Sequence, residues 1–320
     1  MTRFLLTGGG GFVGQWLARL LLERGHDVTL AGVGSLDEGP RILTGSERAH
    51  VRWIGADVRS QPDVNRMLDA AQPNAVVHLA GVAFPPDADR DPAATYDINA
   101  LGAVRVLSAL AARSEAGTLD AVAVVVGSGL QYGAHSADEM PLREDAPQRP
   151  LTAYAATKTA QEVAALQIGR ASSLRVVCTR SFNHSGVGHG AQYLLPSLVS
   201  RVLALRNGGS RQLALGNDVV RDYLHVRDVA AAYLALAERG RAGESYNVSS
   251  GVGVSVRQLA ADALLRAGVN ADISTEPSLV RAMDIPVLVG SPDKLERDTG
   301  WRPALTHADI IDDLLHAATH

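Results

Sequence analysis

The chain has 320 residues, 46% hydrophobic, 20% charged and 4% aromatic, a balance that excludes disordered, collagenous and membrane-embedded classes and supplies ample apolar surface for a core. Thirty basic against 34 acidic side chains leave a net charge of −4, which argues against a nucleic-acid partner, because binding a phosphate backbone needs a clustered positive face. One cysteine, Cys178, cannot form an intramolecular disulfide, and no run approaches the roughly 18 apolar residues of a membrane span. The expected location is therefore the cytoplasm, with no membrane partner.

From the first residues, short apolar runs alternate with amphipathic segments. Phe4–Leu6, Val28–Ala31, Val51–Gly55, Ala75–Leu79, Ala121–Val126 and Leu174–Cys178 read as strands, and their continuous apolarity fits strands covered on both faces. Val13–Arg24, closed by Gly25, and Asn99–Arg113 read as helices between them. This order predicts an α/β fold, a doubly wound parallel sheet of the Rossmann type, over residues 1–180. Beyond that point the pattern loosens. Helices over 194–206 and 255–267 are separated by short strands, with loops over 186–190 and 207–210 and an irregular stretch over 277–292. Residues 181–320 read as a smaller α/β substrate-binding lobe without a closed core of its own, returning segments to the first domain and leaving a ligand crevice between the two.

Thr7-Gly-Gly-Gly-Gly-Phe-Val-Gly14 places glycines at 8, 11 and 14 immediately after a predicted strand and at the mouth of a predicted helix. In that context Gly8 permits the tight turn, Gly11 lets a pyrophosphate approach the backbone and Gly14 allows close packing of the helix. The first helical amides, at Phe12 and Val13, hold the anion. A second strand that binds NAD usually ends in an acid for the adenosine ribose, whereas Leu30-Ala31-Gly32-Val33-Gly34 supplies none and Arg41 is the nearest downstream cation. NADP(H) is the favoured cofactor and NAD(H) an accepted one. Asp57 and Val58, after the strand at 51–55, are placed at the adenine.

Tyr154 and Lys158 lie four residues apart on one helix face, so the cation can lower the phenol's pKa and also hold a cofactor ribose. The phenol then serves as acid or base toward a hydroxyl or carbonyl, and Ser128, at the end of a buried strand, can bond the same oxygen. His184, His189 and His225 match no metal-ligand spacing, and no metal is expected.

With these motifs in place the chain resembles the extended short-chain dehydrogenase/reductase family, whose members mostly act on nucleotide sugars. The resemblance runs through Gly8–Gly14, His78-Leu-Ala-Gly81, Asn99 with Gly102, Ser128 with Tyr132-Gly133, Tyr154 with Lys158, Arg180-Ser-Phe-Asn-His184, Arg221-Asp-Tyr, Val226 with Asp228, Tyr246-Asn247 and Gly300-Trp-Arg-Pro303. It implies a catalytic set of Ser128, Tyr154 and Lys158, and cofactor contacts from Leu79, Ala80 and Gly81. Asn99 is implied to support the lysine through water. By the same resemblance Asn183, Arg221 and Arg281 hold the diphosphate and nucleotide, and Phe84 stands where the family contacts the sugar.

Within the family, Arg180–Gly186 looks most like the GDP-mannose 4,6-dehydratases and the reductases that act on their products. A dehydratase needs a carboxylate two residues before the Tyr-Gly pair, and that slot is Leu130. The expected function is NAD(P)H-dependent reduction of the C4 ketone of a nucleotide-linked, GDP-type 4-keto-6-deoxyhexose. The alternatives are an epimerase with tightly held NAD, a dTDP-linked 4-ketoreductase and, from another class, a non-catalytic NADP(H) sensor. The helices over 99–113 and 154–170 are rich in Ala and Leu, and in the resembling family they pair across a two-fold axis, which implies a homodimer.

Overall fold

A computed structural model describes residues 1–206, 208, 211–280 and 284–319. The first part of the chain runs β1 (Arg3–Thr7), α1 (Phe12–Glu23), β2 (Asp27–Gly32), α2 (Gly45–Arg48), β3 (Val51–Gly55), α3 (Gln61–Ala71), β4 (Ala75–His78), α4 (Pro85–Arg90), α5 (Pro92–Tyr96), α6 (Gly102–Glu115), β5 (Val122–Ser128), α7 (Ala153–Ala171) and β6 (Arg175–Ser181). It continues through β7 (Asn183–Ser185), α8 (Leu194–Arg206), β8 (Gln212–Leu215), β9 (Val220–His225), α9 (Val226–Arg239), β10 (Ser245–Val248), β11 (Gly253–Ser255), α10 (Val256–Ala267), β12 (Asp272–Thr275), β13 (Val287–Leu288), α11 (Asp293–Thr299) and α12 (His307–Thr319).

The apolar strands assemble into one seven-stranded parallel sheet in the order β10-β6-β5-β4-β1-β2-β3. Successive side chains of a strand point to opposite faces, so each strand feeds two cores. Phe4, Leu6, Val28, Val77 and Val124 pack on one face beneath Leu17 and Leu21 of α1 and Val229 and Tyr233 of α9. Leu5, Val76, Ala123, Val125 and Val176 pack on the other beneath α3, α6 and α7. Deleting a fully buried leucine in such a layer costs about 2–5 kcal/mol, which is why both faces must stay covered. This is the doubly wound sheet expected from the alternation.

The strand order reverses between β1 and β4, and the loops that follow these two strands meet there. A Cβ added to Gly8, whose φ of 68° is left-handed, would lie 2.7 Å from the Ala80 nitrogen. Such a switch point is where an open α/β sheet leaves a crevice for ligand.

The C-terminal lobe carries a four-stranded sheet in which β11, β13 and β7 all pair with β9, and a β12–β8 pair. The expectation that this part lacks a core is corrected by the structure. Leu195, Leu198, Val202, Leu213, Tyr223, Leu259, Ile310 and Leu314 form a separate buried cluster from α8, α10 and α12 together with β8 and β9. The cluster exists only once these helices and strands, far apart in the chain, converge. The lobe also returns α9 and the edge strand β10 to the first domain.

Candidate active site

Above the switch point lies a cavity of about 440 Å³, lined among others by Gly8, Gly10, Gly11, Gly32, Trp53, Asp57, Val58, Ala80 and Gly81. Gly11 is the N-cap of α1 and brings no side-chain cap, and the first turn contains no acid. The first helical amides, at Phe12, Val13 and Gly14, have no intrahelical partners and remain available to an anion, favoured there by the helix dipole. Gly14 has a different role from close helix–strand packing: a Cβ there would lie 2.6 Å from the Gly9 carbonyl oxygen, so it closes the glycine loop on itself. This cradle fits a dinucleotide pyrophosphate.

The side chains of the expected cofactor residues divide between the cavity and the core. Asp57 and Val58 line the cavity, and Arg59 grips the Asp57 carboxylate through Nε at 3.0 Å and Nη2 at 2.7 Å, which holds its pKa below the usual range. Leu79 and Val13 pack into the core instead, and Phe12 stacks on His189 with centroids 4.6 Å apart, so these three can offer only backbone to the cofactor. Trp53, which sequence reasoning passed over, sets its ring against Gly10 and Gly32 and forms a cavity wall.

Asn99 lies in a π-helical turn, Asp97–Leu101, that leads into α6. Such turns are rare and often mark functional positions. Its Oδ1 accepts from the Val82 N–H at 2.8 Å, and its Nδ2 donates to the Val82 carbonyl at 3.2 Å and to Thr157 Oγ1 at 3.0 Å. The direct role of Asn99 is to pin the loop after β4 to α7, beside Lys158.

Ser128 ends β5 and Tyr154 opens α7, and their hydroxyls meet. Burial pushes the Tyr154 phenol up to about 12, opposed by its hydrogen bond with Ser128. Lys158 does not act on the phenol here, contrary to the expectation from spacing. Its ammonium donates to the Val126 carbonyl at 2.9 Å and to Gln161 Oε1 at 3.0 Å, and burial lowers its pKa to about 8. Four-residue spacing gives reach, but the stronger nearby acceptors decide where the ammonium points. Beneath it His78 is neutral, its pKa lowered to about 3 by burial and by the Lys158 charge, with Nδ1 bonded to Thr7 Oγ1 at 2.8 Å. A protonated phenol that interacts with a serine, one helical turn from a lysine adjoining the cavity residue Gly81, can give a proton to an oxygen that is gaining negative charge.

A family model described as GDP-mannose 4,6 dehydratase matches residues 5–314. The chain belongs to this family. It is an extended short-chain dehydrogenase/reductase of the epimerase/dehydratase kind, and its site is that of an enzyme acting through a nicotinamide dinucleotide. The GDP-6-deoxy-D-mannose reductase of Pseudomonas aeruginosa is 36% identical over 311 residues, covering 95% of this chain and 93% of that protein. A UDP-glucose 4-epimerase of Corynebacterium glutamicum is 30% identical over 322 residues, covering 96% and 92%. The solved structure of RMD from Pseudomonas aeruginosa complexed with NADPH superposes with a TM-score of 0.82 at 30% identity, covering 99% of this chain and 98% of that one.

The residues assigned to substrate by resemblance to this family lie on separate elements of the chain. Phe84, the N-cap of α4, meets Tyr193 edge-on at 5.3 Å, and Tyr193 stacks on His189 at 4.0 Å, so an aromatic row crosses from α4 to the C-terminal lobe. Asn183 is exposed on β7. Arg221 on β9 is engaged with Asp284 at 2.6 Å. Arg281 lies outside the described residues. Leu130, in the short turn after Ser128, packs against the apolar cluster of Tyr132, Leu142 and Phe182, and the dehydratase base has no counterpart there. Among the described residues no helix is long and apolar enough to cross a membrane.

Proposed function

We propose that the chain reduces the C4 ketone of a GDP-linked 4-keto-6-deoxyhexose, with NAD(P)H as reductant. The observation that carries this reading is the interaction of Ser128 with Tyr154, one helical turn from Lys158, whose ammonium adjoins the cavity residue Gly81, combined with an apolar Leu130 where elimination needs a carboxylate. The likeness to the Pseudomonas reductase supports it.

When bound, the reduced nicotinamide supplies the hydride; Gly8, Gly11, Gly14 and the amides of Phe12 and Val13 would hold its pyrophosphate, with Asp57 and Val58 at the adenine. Tyr154 delivers the phenolic proton to the C4 oxygen, and a pKa near 12 keeps that proton in place until the oxygen acquires charge. Ser128 orients the same oxygen. Lys158, charged below about pH 8, would hold the ribose of the dinucleotide, and solvent restores the proton to Tyr154. Phe84 and Tyr193 offer an apolar wall, and Arg221 with Arg281 would receive the nucleotide diphosphate.

Mixing the protein with NADPH and the product of a GDP-mannose dehydratase should consume the nicotinamide absorbance. Tyr154→Phe should lower turnover about 10²- to 10⁴-fold while dinucleotide binding survives. No turnover with GDP, dTDP, UDP or CDP ketosugars sinks the reading, and NAD that co-purifies in stoichiometric amount would make the protein an epimerase instead. Residues 1–180 serve the dinucleotide and 181–320 the substrate in this scheme, and the protein works in the cytoplasm. Two copies pair through the helices over 99–113 and 154–170, where Leu101 and Val163 are left 49% and 59% exposed. A light-scattering mass of one chain at micromolar concentration would contradict the homodimer.

A further inference from the structure

Strand β2 ends at Gly32 without an acid, yet a carboxylate enters the adenosine end of the cavity from farther along the chain. Glu38 lines it together with Ser35, Gly10, Trp53 and Arg59. Arg41, the cation expected nearby, does not.

The position of Glu38 is set by its neighbours. Gly39 packs against the Gly10 carbonyl so closely that a Cβ would collide with it, and the Gln15 amide donates to that same carbonyl at 2.9 Å. The turn after β2 is thereby tied to the glycine loop. Arg48 holds it from outside, through the Leu36 carbonyl at 3.2 Å and through Asp37. One residue before the tie, the Glu38 carboxylate folds back over Gly34, where an added Cβ would strike Oε2, and Ser35 Oγ lies 3.5 Å from Oε1. Among the described residues no cation pairs with Glu38. Arg59 is already committed to Asp57.

Resting on the function proposed above, we propose that Glu38 sets the balance between NADH and NADPH. Its carboxylate accepts hydrogen bonds from the adenosine ribose hydroxyls, which an acceptor-only group does well. Against a 2′-phosphate the same carboxylate is a like charge in the same space, and the guanidinium that could offset it is held by Asp57. The side chain therefore restrains the preference for NADPH that the acid-free end of β2 creates.

Binding titrations with NADH and with NADPH, followed by isothermal titration calorimetry and needing no sugar, test this on the wild type, Glu38→Gln and Glu38→Ala. Glu38 is exposed, so neither change endangers the fold. In Glu38→Gln, which keeps the reach and removes the charge, the ratio of the NADPH to the NADH dissociation constant should fall about tenfold. Glu38→Ala should show the same fall and, having lost the acceptor, weaker NADH binding. An unchanged ratio in both variants, with both dinucleotides bound, overturns the role of Glu38 and leaves the reductase reading intact. A wild-type protein that binds neither dinucleotide overturns both.

Discussion

The backbone N–H of Ser128 donates to Gln131 Oε1 at 2.7 Å, and through that bond the proposed catalytic serine is tied to a buried ion pair. Gln131 Nε2 donates to Glu162 Oε2 at 2.7 Å, and Glu162 receives Arg180 at 2.7 and 3.0 Å. Tyr154, Lys158 and Glu162 are spaced four apart on α7, so one helix face presents the proposed proton donor, the cation and the anchor of the serine. Arg180 lies over the Tyr132 ring at 4.9 Å and closes the arrangement from β6. The ion pair is nearly solvent-free, and removing one partner of such a pair costs about 3–5 kcal/mol.

Gln131 therefore positions Ser128 without touching substrate. Gln131→Ala should lower kcat about 10- to 100-fold, because small errors in the placement of a reacting group cost large factors, while dinucleotide affinity stays near wild type. Steady-state kinetics beside a binding titration separates the two. A variant that melts earlier but keeps its kcat would reduce Gln131 to a structural residue.

Much of this was legible in the chain itself, because some signals are local. Continuous apolar runs can satisfy only strands covered on both faces, and a glycine loop between strand and helix has few other uses. What escaped was non-local or ambiguous in direction. The Gln131–Glu162–Arg180 chain joins three segments whose polar residues look like ordinary surface until the fold buries them. Glu38 sits in a polar turn with no periodicity to mark it, and only the contact of Gly39 with Gly10 brings it to the cavity. Spacing placed Lys158 within reach of Tyr154 but could not tell that Val126 and Gln161 would claim the ammonium.

The buried ammonium has a thermodynamic consequence. Burial lowers the Lys158 pKa from its ordinary 10.5 to about 8, so the folded state releases that proton more readily than the unfolded chain. Between about pH 8 and pH 10.5 the unfolded state binds more protons, and the contribution of this group to stability rises with pH. Near neutrality the folded protein bears the full cost, of order 3 kcal/mol, partly offset by the bonds to Val126 and Gln161. Lys158→Met should consequently be inactive yet raise Tm by a few degrees near pH 7, with the advantage shrinking toward pH 10. Thermal melts at the two pH values check this, and a lower Tm for the variant at neutral pH would refute it.

Leu130 separates this chain from the dehydratases whose family model it matches. Elimination of water from a hexose needs a base for the C5 proton, and the turn that follows Ser128 gives that slot an apolar side chain packed with Tyr132 and Phe182. General-base catalysis contributes about 10²- to 10⁴-fold, so its absence should leave dehydration negligible rather than merely slow. The wild-type protein should reduce a GDP-linked 4-ketosugar and release no 4-keto-6-deoxy product from GDP-mannose. Leu130→Glu should gain at most a trace of elimination, because the new carboxylate arrives in an apolar cluster with no partner to orient it. Burial there would also raise its pKa and favour the neutral form, which cannot take a proton. Product analysis by mass spectrometry after incubation with GDP-mannose and NADP decides the point. Robust dehydration by the unaltered protein would overturn the reductase assignment, since another residue would then have to supply the base.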